Sequence, residues 1–181
     1  MRKVFIDCGF YHGKGMRLFK TKGEYEPDFE LIAFEPMVDV EAAERKHKGV
    51  KFYNKAVWIE DGIINFHSSN RRGGQANGIF ENPRAKSERV TPVESVDFGN
   101  WIKKNFDKTD YIVVKMDIEG AEQDVLEKMV EDKSIEYLNI LYVEFHTKQK
   151  PGYTALKTAL KELESLDLRG AIEWYFRRRR K

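Results

Sequence analysis

At 181 residues, 41% of them apolar and 34% charged, the chain has room for one domain on one core, residues 1–176, and two independent domains would be cramped. No apolar stretch approaches the roughly 18 residues of a membrane-spanning helix, and the run after Met1-Arg2-Lys3 meets Asp7 and Gly9 too soon for a signal peptide. That excludes a membrane span and points to the cytoplasm. The net charge of +2 rests on a basic tail, Arg177 to Lys181; without it 27 basic residues face 30 acidic ones, so the body of the fold lacks the basic face that nucleic acid requires.

In chain order, Val4-Phe5-Ile6-Asp7-Cys8 is a nearly continuous apolar run ending at Gly9, as a strand buried on both faces should be. Cys8, the single cysteine, has no disulfide partner and reads as a buried, reduced thiol. A helix is expected from Lys14 to Thr21 and a second buried strand over Leu31 to Phe34, closed by Glu35-Pro36. Val38 to His47 reads as a helix with Ala42 and Ala43 inward, and Lys51 to Val57 alternates like a third strand. Asp61-Gly62 is a turn signal, and the flanking residues near Val57 and from Ile63 to His67 predict a hairpin. From Ser68 to Arg89 periodicity disappears, and a polar segment this long is too long for a passive connection.

Order returns at Val90. Asp97 to Phe106 predicts a helix with Phe98, Trp101, Ile102 and Phe106 on one stripe, and Tyr111 to Met116 is the next buried strand. Glu122 to Val130 is an amphipathic helix, Leu138 to Phe145 a strand, Thr154 to Leu166 a helix and Ala171 to Phe176 the last strand. Strands alternating with helices predict an α/β fold: a mostly parallel sheet covered by helices on both faces.

In such a doubly wound sheet, ligands bind beyond the carboxyl ends of the strands, where the strand order reverses. The residues with chemistry stand there: Asp7-Cys8-Gly9-Phe10-Tyr11-His12-Gly13, Glu35-Pro36, Asp117-Ile118-Glu119-Gly120 and Glu144-Phe145-His146. Gly9 and Gly13 permit a tight turn and close backbone approach to a ligand. Their spacing is not the Gly-x-Gly-x-x-Gly of dinucleotide folds, and Phe10-Tyr11-His12 crowds the place of a pyrophosphate. Glu35, 22 positions after Gly13, suits the two hydroxyls of a ribose.

Val113-Val114-Lys115-Met116-Asp117-Ile118-Glu119-Gly120-Ala121-Glu122 resembles the signature of the FkbM-type methyltransferases, a strand running into Asp-x-Glu-Gly-x-Glu. The likeness continues in Asp7, Gly9 and Gly13, in Phe34-Glu35-Pro36, in Asn54-Lys55-Ala56-Val57 with Asp61-Gly62, and in Val143 to His146, over about residues 4 to 146. It departs at Phe10-Tyr11-His12, where the family carries small residues and an asparagine. The resemblance implies a Rossmann-like class I methyltransferase fold. For the complete seven-stranded sheet this chain is short, which leaves a C-terminal edge that is trimmed or covered in an oligomer.

It further implies an enzyme that transfers the methyl group of S-adenosylmethionine to a hydroxyl of a sugar, glycan or natural-product acceptor. Asp7, Gly9, Gly13, Glu35, Pro36, Ala56 and Val57 would hold the donor. A general base is expected among Asp117, Glu119, Glu144 and His146, with Asp117 or His146 first; the same cluster could instead hold a divalent metal. Arg71, Arg72 and Asn77, in the segment without periodicity, are the residues expected on the acceptor. An RNA 2′-O-methyltransferase is the competing enzyme, carried by the arginine tail and opposed by the acidic body. A non-catalytic ligand-binding module on the same fold is the reading outside enzymology.

Overall fold

Along β1 (Lys3–Cys8), Val4, Ile6 and Cys8 alternate with Phe5 and Asp7, and all five are buried. A strand buried on both faces must lie inside a sheet covered on both sides, and the computed structural model shows that arrangement. It describes residues 1–21, 25–68, 78–81, 89–146 and 150–170. Lys3 to Cys8 pair in parallel with Phe29 to Phe34 on one side and Tyr111 to Met116 on the other.

The main sheet runs in the order β3 (Val50–Tyr53), β2 (Phe29–Phe34), β1, β7 (Tyr111–Met116), β8 (Ile140–Val143), β9 (Asp167–Gly170), with every pairing parallel. The chain winds outward from β1 in one direction, then crosses to β7 and winds outward in the other, which is the Rossmann-like doubly wound order. α1 (Lys14–Thr21) and α2 (Val40–Lys46) pack on the face that carries Phe5, through Met16, Phe19 and Ala43. α3 (Phe98–Asn105), α4 (Glu122–Glu131) and α5 (Tyr153–Glu162) cover the opposite face, through Phe98, Ile102, Val125, Leu126, Met129, Leu156 and Leu160. Of the Ala42–Ala43 pair only Ala43 is buried, because α2 starts at the Asp39 cap, whose carboxylate accepts from Ala42 N, and this turns Ala42 outward.

The expected third strand is two strands. β3 ends at Tyr53, whose partner Phe34 is the last residue of β2 before Glu35-Pro36 turns away. The chain then enters β4 (Ala56–Trp58) of a second sheet. The hairpin expected around Asp61-Gly62 does not form: β4 and β5 (Gly62–Ser68) are separated by β6 (Arg89–Asp97), in the order β4-β6-β5. β6 pairs antiparallel with β5 over seven positions, whereas β4 offers only three residues, and those lie parallel to β6. β6 itself has a period-two signal, with Val93 and Ser95 buried and Glu94 exposed, which Pro92 interrupts.

At the far edge α5 ends at Glu162 and β9 starts at Asp167, earlier than the strand expected over 171–176, which lies outside the described residues with the tail 177–181. Among the described residues no helix is long and apolar enough to cross a membrane.

Candidate functional site

The strand order reverses between β1 and β7, and a cleft of about 390 Å³ opens there. Gly9, Glu35, Pro36, Ala56, Val57, Asp117, Glu119, Glu144 and His146 all line it, so most of the residues expected at the donor and acceptor ends share one cavity. Asp7 does not reach the surface; it is fully buried beneath the loop. Gly13 stands behind the wall, where a Cβ would come within 2.6 Å of Phe10. Arg71, Arg72 and Asn77 lie outside the described residues.

Glu35 leaves the end of β2 half-buried, and its carboxylate is oriented by two backbone amides: Tyr11 N donates to Oε2 at 2.9 Å and Met37 N to Oε1 at 3.3 Å. Burial raises its carboxyl above the usual range, against these two bonds. The bulk of Phe10-Tyr11-His12, which departs from the resemblance, is partly absorbed by the core. Phe10 is 3% exposed and meets Phe52 edge-on at 4.7 Å, while Tyr11 turns outward on left-handed backbone.

Lys115 is a residue that sequence reasoning missed. It occupies the same register as Asp7 on the adjacent strand, and its side chain is 6% exposed. Its Nζ donates to Gly9 O at 2.8 Å and Cys8 O at 3.3 Å, and lies 3.1 Å from Asp7 Oδ1 and 3.5 Å from Asp117 Oδ2. One ammonium therefore ties the end of β1 and the loop that follows it to the loop after β7, and it balances Asp7 and Asp117. Burial still raises the Asp7 carboxyl, although Lys115 opposes it. The visible signal was a lysine inside the apolar run Tyr111 to Met116.

Glu122, which closes the Asp-x-Glu-Gly-x-Glu signature, has a partner that the sequence did not reveal. At the start of α4 it is fully buried, with its carboxylate folded back over its own loop. It accepts from Ile118 N at 2.9 Å and Gly120 N at 3.1 Å, and its Oε1 lies 2.9 Å from His146 Nδ1. His146 Nε2 faces Glu119 Oε2 at 3.6 Å and Asp117 Oδ1 at 3.8 Å. Asp117, Glu122 and His146 each bring a potential ligand atom within 4.8 Å of the others. Both Glu122 oxygens already accept backbone amides, and Oε1 also meets the imidazole. Asp117 stands beside this hydrogen-bonded pair as a flanking carboxylate.

Burial alone would lower the His146 pKa, but the Glu122 hydrogen bond and the charges of Glu122, Glu119 and Asp117 outweigh it and raise it to about 9. Burial opposes ionisation of Glu122 too, yet the bonds from His146, Gly120 and Ile118 hold its carboxyl below the usual range. The pair's contribution to stability is full below the unfolded histidine value of about 6.5 and is lost as pH rises through about 9. On the acid side it is present above the unfolded glutamate value and is lost as pH falls through the lowered one. With the His146 side chain 29% exposed, solvent screening leaves about 1–2 kcal/mol. Denaturant melts should therefore show the protein weakening by about that amount between pH 6.5 and 10, and His146→Gln should flatten the dependence.

The missed apolar wall comes from the second sheet. Gly78 exchanges backbone hydrogen bonds with His67 at 2.7 and 3.0 Å, which brings Ile79 beside Phe66 at the cleft. The cleft thus brings together the amide-oriented Glu35, an acid–imidazole group and an apolar side.

No curated protein and no solved structure matches this chain. Residues 37–173 match one family, and the chain belongs to it: Domain of unknown function (DUF7870).

Proposed function

We propose that the protein is an S-adenosylmethionine-dependent O-methyltransferase acting on a hydroxyl of a sugar, glycan or natural-product acceptor. The observation that carries this reading is the joining, in one cleft at the switch point, of the amide-oriented Glu35 with Asp117 and His146. The resemblance of residues 113–122 to the FkbM-type signature supports the choice of a methyl donor over other nucleoside ligands.

In this reading Glu35 accepts hydrogen bonds from the ribose hydroxyls, and the loop Gly9 to His12 borders the methionyl part. The donor's methyl carbon is already electrophilic, so the protein must align the acceptor oxygen, methyl and sulfur and remove the hydroxyl proton. The oxygen–carbon bond forms as the carbon–sulfur bond breaks, the sulfur leaves as an uncharged thioether, and the hydroxyl proton passes to a base at the acid–imidazole end. Phe66 and Ile79 offer an apolar surface to the acceptor's carbon skeleton, and Glu119 and Glu144 accept from its other hydroxyls.

Calorimetric titration with S-adenosylhomocysteine, with NAD as control, tests this. Micromolar binding is expected, with Glu35→Ala weakening it by about 1–2 kcal/mol through two lost ribose bonds. If folded protein binds NAD instead, or neither S-adenosylhomocysteine nor S-adenosylmethionine, the methyltransferase reading is withdrawn.

A further inference from the structure

We infer that Glu122 and His146 work as one unit at the acceptor end of the cleft, with His146 Nε2 as the base and Glu122 as the residue that positions it. This inference rests on the methyl-transfer reading. Glu122 would be unremarkable if it only capped its own loop, because an acid at a helix start commonly accepts free amides. Its bonds to Ile118 N and Gly120 N are of that kind. The 2.9 Å contact with Nδ1 of a residue 24 positions away is not explained by capping.

A fully buried carboxylate at Nδ1 places a proton there and leaves Nε2 to face outward, toward the cleft that Asp117, Glu119 and Glu144 line. A base whose other ring nitrogen is held by an acid is the recurring form of an oriented general base. During transfer Nε2 of the neutral imidazole, the minor form below a pH of about 9, takes the hydroxyl proton while oxygen bonds to the methyl carbon and sulfur departs with its electron pair, so kcat should rise with pH up to that value. The imidazolium formed is balanced by Glu122, and its proton returns to solvent through the exposed part of the ring. Among the described residues, the charged groups facing His146 are Glu122 from α4 and Asp117 and Glu119 from the loop after β7, and Glu144 on its own segment lines the same cleft. Lys115 is engaged with Asp7 and Asp117, and Lys150 with Asp124.

Two measurements test the unit. The first is an NMR titration of the His146 ring proton in unliganded protein: the wild-type midpoint is expected near 9, and in Glu122→Gln it should fall by a unit or more. The second is kinetic. His146→Gln should lower kcat by about 10²–10⁴-fold with little change in donor KM. Glu122→Gln should lower it in the wild-type background and hardly further beside His146→Gln, and Glu122→Asp should recover part of the rate. A histidine midpoint unmoved in folded Glu122→Gln overturns the pairing, as do losses in the two single variants that multiply in the double. If Glu122→Gln does not fold, Glu122→Asp carries the titration, and an unmoved midpoint there, with wild-type kcat, overturns it equally. Absence of donor binding would remove the methyl-transfer reading, while the titration still decides the pairing.

Discussion

Lys115→Met should destabilise the protein by about 3–5 kcal/mol, because breaking a buried ion pair from one side leaves the other charge uncompensated. Methionine fits the aliphatic stem, so the loss isolates the ammonium and not the packing. What remains is Asp7, fully buried beneath the cleft, with its only nearby cation removed among the described residues. Burial already raises its carboxyl with Lys115 in place, and without the lysine it rises further. A folded-state pKa above the unfolded value means stability gained as pH falls, so the variant should recover part of its loss under mildly acidic conditions. Asp7→Asn in the same chain should recover much of it at neutral pH, as expected for two residues that interact directly. Donor affinity should fall with stability, since Nζ also holds the carbonyls of Cys8 and Gly9 that shape the loop. Urea melts of the two single variants and the double measure all of this; a loss below about 1 kcal/mol for Lys115→Met would show that the pair is spectator to the fold.

Lys115 also shows where the sequence was readable and where it was not. β1, β2, β7 and β8 were legible because each is a short, largely apolar run, and strands buried on both faces leave that mark; β9 carries no such run, and its strand was expected later, over 171–176. The positions of Glu35, Asp117, Glu144 and His146 followed from one rule, that a doubly wound sheet gathers its chemistry at the strands' carboxyl ends, and all four line the cleft. The rule says nothing of side chains that point inward. Lys115 and Asp7 are 108 positions apart, and only the parallel register of β1 with β7 makes them neighbours. Glu122 fits a helix start so well that its second partner, 24 residues on, left no local trace.

The small sheet was lost for another reason. β6 and β5 are joined through a segment of about twenty polar residues, and nothing local marks a pairing across such a gap. The turn signal at Asp61-Gly62 is real, but Asp61 is used differently: its Oδ1 accepts from Asp97 N at 3.1 Å, fixing the end of β6 where α3 begins. A turn read from two residues gave the right bend and the wrong partner.

Gly9→Ala should be nearly as damaging as the loss of Lys115, at about 2–5 kcal/mol, and for a steric reason. A Cβ at this position would lie 1.9 Å from the carbonyl oxygen of Asp117, an atom that belongs to backbone and has no rotamer to change. The loops after β1 and β7 would have to separate, and forcing atoms into a packed site costs about 1–3 kcal/mol. The residue also holds φ at +78°, left-handed backbone that costs an L side chain a further 1–2 kcal/mol or so. Separation of the loops would draw Gly9 O from Lys115 Nζ and Asp117 from its place beside His146. Donor binding and methyl transfer should therefore fall together, unlike the expected behaviour of His146→Gln, where donor KM is kept. Thermal melts with S-adenosylhomocysteine titration check the pair of effects. Near-wild-type stability in Gly9→Ala would mean that the two loops do not meet at the switch point, and the shared cleft for donor and acceptor would lose its floor.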